Sequence, residues 1–220
     1  MDQSETAHSL STRKDFIRQI GHDVQGTFFG VSSLCVMLKD AIENGKETNE
    51  LMDHLMSACQ SYKHKLCNFI EYTRFEAGLQ DVFMEQINVR ELVKMGIEES
   101  LPALKEKNIR FGYEVAGEVP EYIFCDEYRF SQIVSNLLTR AASIASAGAE
   151  VVMKIEKENE LDLSIRVDTT GEGSRAGECN LDLLVVRYLV EAVLKGDIQV
   201  AGQPGGRSSF IVRLPMIKPG

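Results

Sequence analysis

No run of about 18 apolar residues occurs in the 220-residue sequence, so no segment of it reads as a membrane-spanning helix. The first fifteen residues, MDQSETAHSLSTRKD, are polar and lack the apolar centre of a signal peptide. Basic residues are in deficit: 24 Lys and Arg against 33 Asp and Glu give a net charge of −9 and a pI near 5.1. That balance leaves no basic stripe and argues against nucleic acid as a partner. Cysteine pairs are missing too. The five cysteines stand singly, mostly in apolar stretches, which reads as reduced core thiols in a cytoplasm. His64 and Cys67 share a helix face, but no second pair lies near them in sequence, so no zinc site is expected and no metal is assigned.

The remaining composition is that of a soluble globular protein, with 44% hydrophobic and 26% charged residues. The length suffices for one domain with a real core or for two small ones. The most informative stretch is 16–38, FIRQIGHDVQGTFFGVSSLCVML. Its apolar residues recur at Phe16, Ile20, Val24, Phe28, Val31, Cys35 and Leu38, the spacing of three and four that marks a helix stripe. His22 lies two residues from Ile20 and two from Val24, about 200° around the helix from each, so it faces water, with Asp23 next to it.

Residues 1–10 are expected as a flexible tail and 11–42 as the first helix, ended by Asn44-Gly45. A second helix is expected from Thr48 or Asn49 to Ala77, stopped by Gly78. Two helices of about 30 residues joined by a short turn pack as an antiparallel hairpin. Alone it leaves apolar stripe in water, and a second copy would close it into a dimeric four-helix bundle. After Gly78 the pattern becomes mixed. Strands are expected at 82–84, 109–115, 122–124, 151–157, 161–168, 198–201 and 208–214. Helices are expected at 89–105, capped by Asn88, at 126–147 opened by Asp126, and at 181–194. The fold class is therefore α+β: a helical hairpin over 11–80, then an α/β sandwich over 81–220 with a mixed sheet and helices on one face.

This order resembles the core of a two-component sensor histidine kinase, with a dimerisation and histidine-phosphotransfer hairpin and a Bergerat-type ATP-binding domain. Residues 16–38 look like the family's histidine-bearing helix, with His22 at the phosphoacceptor position and Asp23 as its acidic neighbour. Tyr72-Thr73-Arg74-Phe75-Glu76-Ala77-Gly78 is similar to the end of the family's second helix. The run from Asp126 to Leu138 resembles the asparagine-box helix, with Asn136 its nucleotide-site residue. Val167-Asp168 with Gly171 and Gly173 looks like the first glycine box, where Asp168 is implied to read adenine, and residues 183–191 look like the helix after the second box.

Several positions depart from that pattern. Arg140 stands four residues after Asn136, where the family has a second asparagine on magnesium; as a vestigial nucleotide-site residue it could face a phosphate directly. The first glycine box counts one extra residue after Asp168, and Asn180 and Asp182 replace two glycines of the second. Only residues 174–179 separate the two boxes, where the family has a longer lid. Gln25-Gly26-Thr27 replaces the usual Arg-Thr-Pro after the histidine pair. The resemblance thus implies a degenerate nucleotide site with no cofactor, and ATP with magnesium only if the chain is an authentic kinase. It is similar in character to histidine phosphotransferases of the ChpT kind, which exchange phosphoryl groups with response-regulator receiver domains. In that reading His22 is the nucleophile and Asp23 its orienting base. The alternatives are an authentic autokinase and a non-catalytic interaction module.

Overall fold

The computed structural model describes the backbone of residues 3–79, 82–170, 180–203 and 206–216. The chain divides into two compact units, residues 1–70 and 71–220. This division precedes the boundary expected at 80/81, and the last turn of the second helix meets the second unit through Glu71 with Arg129 and Phe75 with Tyr188.

The first unit holds α1 (Gln3–Glu43) and most of α2 (Asn49–Glu76). The helix begins at Gln3, so residues 3–10, expected as a flexible tail, are helical. Their polarity argues against packing but not against a helix, since neither Gly nor Pro precedes Gly21. The turn between the helices follows the expected glycine chemistry. Gly45 takes φ +63°, and Lys46 N–H donates to the Ala41 carbonyl at 2.9 Å. Within the hairpin the Phe28 and Tyr62 rings lie 5.7 Å apart, and Lys65 Nζ donates to Thr27 Oγ1 at 2.8 Å. Leu38 and Ala41 are buried between the helices. Other apolar side chains remain in water: Phe29 is 66% exposed, Val36 69% and Met56 56%.

The second unit has a five-stranded sheet in the order β2-β4-β5-β7-β6, comprising β2 (Arg110–Val115), β4 (Glu150–Lys157), β5 (Asp162–Thr170), β6 (Asp197–Gln203) and β7 (Arg207–Pro215). Only the β2–β4 pair is parallel. It is joined by a crossover through α4 (Glu127–Ile144), and the other pairs are antiparallel. A separate two-stranded sheet pairs β1 (Glu85–Asn88) with β3 (Tyr122–Cys125). The apolar triplet at 82–84 is therefore not the strand expected from its composition. Val82 and Phe83 are exposed, and the more polar Glu85–Asn88 takes the ladder because its register with β3 carries Ile87 against Ile123.

Strand alternation puts Val151, Met153, Ile155, Leu163, Ile165, Val167, Phe210 and Val212 on one face, each 1% exposed or less. The helices cover that face. α3 (Val89–Glu106) is capped by Asn88, and α4 by Asp126, as the sequence suggests. α3 and α4 approach closely at Gly96, where a Cβ would meet Val134 Cβ at 2.6 Å. The expected last helix has two parts: α5 (Leu181–Arg187) continues into a π-helical segment, Tyr188–Val193. Among the described residues, no helix is long and apolar enough to cross a membrane.

Candidate functional site

The exposed face of α1 is the first half of the site. His22 is exposed, as its offset from the apolar stripe requires, while Val24 is partly covered. Asp23 follows it within the helix, and its side chain lies outside the described residues. Gly26 and Gly30 are four and eight residues on, so they share the histidine's side of the helix. A Cβ at Gly21, Gly26 or Gly30 would meet nothing within 4 Å. Nothing in this chain's own packing therefore requires glycine there, although each costs helix stability, about 1 kcal/mol relative to alanine. Further along the hairpin, His64 Nε2 lies 3.2 Å from Asn68 Nδ2, a hydrogen bond along α2. Among the described residues, no group of three or more His, Cys, Asp and Glu could hold a metal ion.

The second half surrounds α4. Asp126 fixes its start by accepting from Arg129 N–H at 2.9 Å and from Phe83 N–H at 2.8 Å. Asn136 is fully buried and Arg140, one turn on, is 7% exposed. α5 packs against α4 and buries Leu183, Val185 and Val186. Asn180, in the place of a glycine, is the cap of α5: its Oδ1 accepts from Leu183 N–H at 2.9 Å, and its Nδ2 lies 3.4 Å from Asp182 Oδ2. So the residues that replace the second glycine box begin a helix.

Asp168, expected from the resemblance to read adenine, does not face the helix layer. Along β5 the core face is held by Leu163, Ile165 and Val167, so the next residue on it is Thr169, 3% exposed. Asp168 points to the opposite, open face of the sheet. There its carboxylate accepts from Arg166 Nε at 2.9 and 3.1 Å and from the Ser209 hydroxyl. It shares a shallow depression of about 300 Å³ with Glu150, Arg166, Arg207 and Ser209. The expected extra residue in the first glycine box disappears with this register. Counting back two from Gly171 gives Thr169, and the carboxylate of that position is absent. Gly171 and Gly173 themselves lie outside the described residues.

Residues 125–218 match the family of histidine kinase-, DNA gyrase B- and HSP90-like ATPases. The second unit is thus similar to a histidine kinase-type ATPase domain. Sensor kinases match across both units. The autoinducer 2 sensor kinase/phosphatase LuxQ of Vibrio vulnificus is 26% identical over 245 residues, covering 97% of this chain and 28% of that protein. The chain spans about a quarter of the length of the curated relatives it matches. Among solved structures, the Acinetobacter baumannii histidine kinase AdeS is similar with a TM-score of 0.64 at 18% identity, over 90% of this chain and 98% of that one. The histidine kinase ThkA in complex with the response regulator protein TrrA is similar with a TM-score of 0.60 at 15% identity, over 96% of this chain and 64% of that one. Together these matches support a two-component kinase core.

Within the ATPase-type domain, α4 brings Asn136 and Arg140 to one buried face, whereas Asp168 lies across the sheet from both. Reading by spacing missed Thr169, although the alternation Leu163, Ile165, Val167 already pointed to it. It also missed the buried charge pair of Glu71 and Arg129, 58 residues apart, which leaves no local signal.

Proposed function

We propose that the chain carries a phosphoryl group on His22 and exchanges it with the aspartate of response-regulator receiver domains. A ring nitrogen of His22 attacks the phosphorus of an aspartyl phosphate. The N–P bond forms as the bond from phosphorus to the aspartyl oxygen breaks, and the receiver keeps its carboxylate. Asp23 orients the ring and stabilises the cationic imidazole that results. The receiver supplies the magnesium that neutralises the moving charge. Gly26 and Gly30 support a docking face on which a partner's backbone comes close to His22.

One observation carries the choice of donor: β5 turns Thr169, not a carboxylate, toward the helix layer. The residues present do not fit ATP with magnesium. The adenine-reading acid is missing, the buried guanidinium of Arg140 stands where the family's magnesium-binding asparagine is expected, and Asn136 is fully buried. A second copy closing on the hairpin would cover Phe28, Phe29, Val36 and Met56, which supports a homodimer through a four-helix bundle, as does the hairpin's length. We place the chain in the cytoplasm, where receivers are found.

The rival reading is an autokinase that labels His22 from ATP. It is favoured by the match of residues 125–218 to an ATPase family. A non-catalytic interaction module is the third. The test uses a receiver domain carrying a labelled aspartyl phosphate. Transfer of label to the wild-type chain, absent in His22→Gln, supports the proposal. An unlabelled wild-type chain, across a panel of phosphorylated receivers, would leave the interaction module.

A further inference from the structure

The last turn of α2 is built into the ATPase-type domain by two unusual contacts. The first is a buried charge. Glu71 is 5% exposed, and its carboxylate accepts from Nη1 of Arg129, itself 6% exposed. Arg129 also reaches Gln132 Oε1 at 3.4 Å and lies 5.3 Å over the Tyr128 ring. Desolvating both charges costs stability that an apolar pair would keep. The second contact is one turn on. Phe75 stacks on Tyr188 with ring centroids 3.8 Å apart and planes 15° from parallel.

Tyr188 is also the first residue of the π-helical segment. Such segments are rare and hold one residue more than the α-helix they interrupt. The far end of this one is pinned. Leu194 N–H reaches back to the Leu189 carbonyl at 2.8 Å, and Gly196 N–H to Val190 at 2.7 Å. Lys195 takes φ +58°, and a Cβ on Gly196 would meet the Arg213 carbonyl of β7 at 2.1 Å. With that end fixed on β7, rewinding the segment to α geometry must be taken up at the other end. α5 would then turn by about 100° or shift by about 1.5 Å along its axis.

We propose that the Phe75–Tyr188 stack, seated by the Glu71–Arg129 pair, is a latch that holds the π-helical segment wound and couples the last turn of α2 to α5. A disturbance travelling down α2 then changes the register of the helix that packs against α4. The reverse also holds, because coupling between two sites is reciprocal. The device stands whether His22 is charged by a receiver or by ATP.

Hydrogen exchange of the full chain, read segment by segment, tests this. Tyr188→Leu should speed exchange in residues 71–76 as well as in 188–193, by about tenfold, within the range usual for coupled sites. Phe75→Leu should do the same to 188–193 from the other side. Tyr188→Phe keeps the ring and should leave both segments at wild-type rates. Strands β4, β5 and β7 should be unchanged throughout. Acceleration confined to the substituted element would overturn the latch, as would an equal rise in every strand. If Phe75→Leu fails to fold, the response of residues 71–76 to Tyr188→Leu decides alone.

Discussion

Two helical faces carry the residues that a phosphoryl-transfer reading singles out, and they are built in opposite ways. On α1, His22 is exposed, and the glycines beside it have nothing of the chain within reach. On α4, Asn136 is fully buried and Arg140 is 7% exposed. The first face spends helix stability on open space. The second spends buried polar groups on a closed one. A surface kept open at a cost is understandable if something outside the chain must use it. Burial of Asn136 and Arg140 supports the proposal that the α4 face does not take nucleotide. That contrast is the physical basis for assigning the donor to a partner.

The comparison can be broken at several points. The largest effect expected is at His22. His22→Gln should remove phosphoryl transfer from a receiver entirely while leaving the melting temperature unchanged, because the side chain is exposed. Residual transfer would place the acceptor elsewhere.

Thiols report the same contrast between units. Cys35, Cys59 and Cys67 on the hairpin are exposed, not core thiols as their apolar neighbours suggest, whereas burial, with Asp126 next in influence, pushes the Cys125 thiol up to about 12. At neutral pH its thiolate should be about a thousandfold scarcer than that of a thiol at 9.0. A thiol reagent should therefore modify the hairpin cysteines and spare Cys125 until the domain unfolds. The sign for stability follows. The folded pKa exceeds the unfolded one, so Cys125 leaves stability unchanged below about pH 9 and lowers it as the pH rises toward about 12. Urea melts of the wild-type chain and Cys125→Ala across that range should differ in slope.

The next effect is structural. Arg129→Met leaves the buried Glu71 carboxylate with only the half-exposed Arg74 guanidinium, 3.5 Å away, and should cost about 3 kcal/mol, the low end for a broken buried pair, in urea unfolding of the ATPase-type domain. Replacing both partners by apolar residues should recover most of that loss. A smaller effect sharpens the account of the open face. Gly26→Ala should stabilise α1 by about 1 kcal/mol, since nothing surrounds the new methyl group. It should nevertheless slow transfer from the receiver. A gain in stability with unchanged transfer would remove the case for close docking at that position.

The smallest expected effect is at Asp168. Its carboxylate lies on the open face of the sheet between Arg166 and Ser209. Asp168→Ala should leave any response to nucleotide as it is in the wild type, in a thermal shift with ATP and magnesium. A loss of nucleotide stabilisation in that variant would return Asp168 to the adenine-reading role that spacing suggested.

Much of this was readable from local chemistry. Asn88 and Asp126 announce helix starts because their side chains cap backbone amides two or three residues on, a purely local act. Gly45 and Gly78 announce helix ends by the same logic, and both adopt positive φ. Local reading stopped where a choice belongs to the sheet or to distant packing. The β1 ladder is selected by pairing with β3, not by the apolar triplet before it. The π-helical segment has no period that differs visibly from an α-helix over six residues. At Asp168 the Val-Asp spelling and the alternation along β5 point different ways, and the alternation sets which face a side chain takes.

The account rests most directly on where the phosphoryl group on His22 comes from. One preparation of the wild-type chain should be offered labelled ATP with magnesium and, separately, a receiver carrying labelled aspartyl phosphate. Label on His22 from the receiver and none from ATP is the predicted result. Label on His22 from ATP, lost in His22→Gln, would contradict it and make the chain an autokinase.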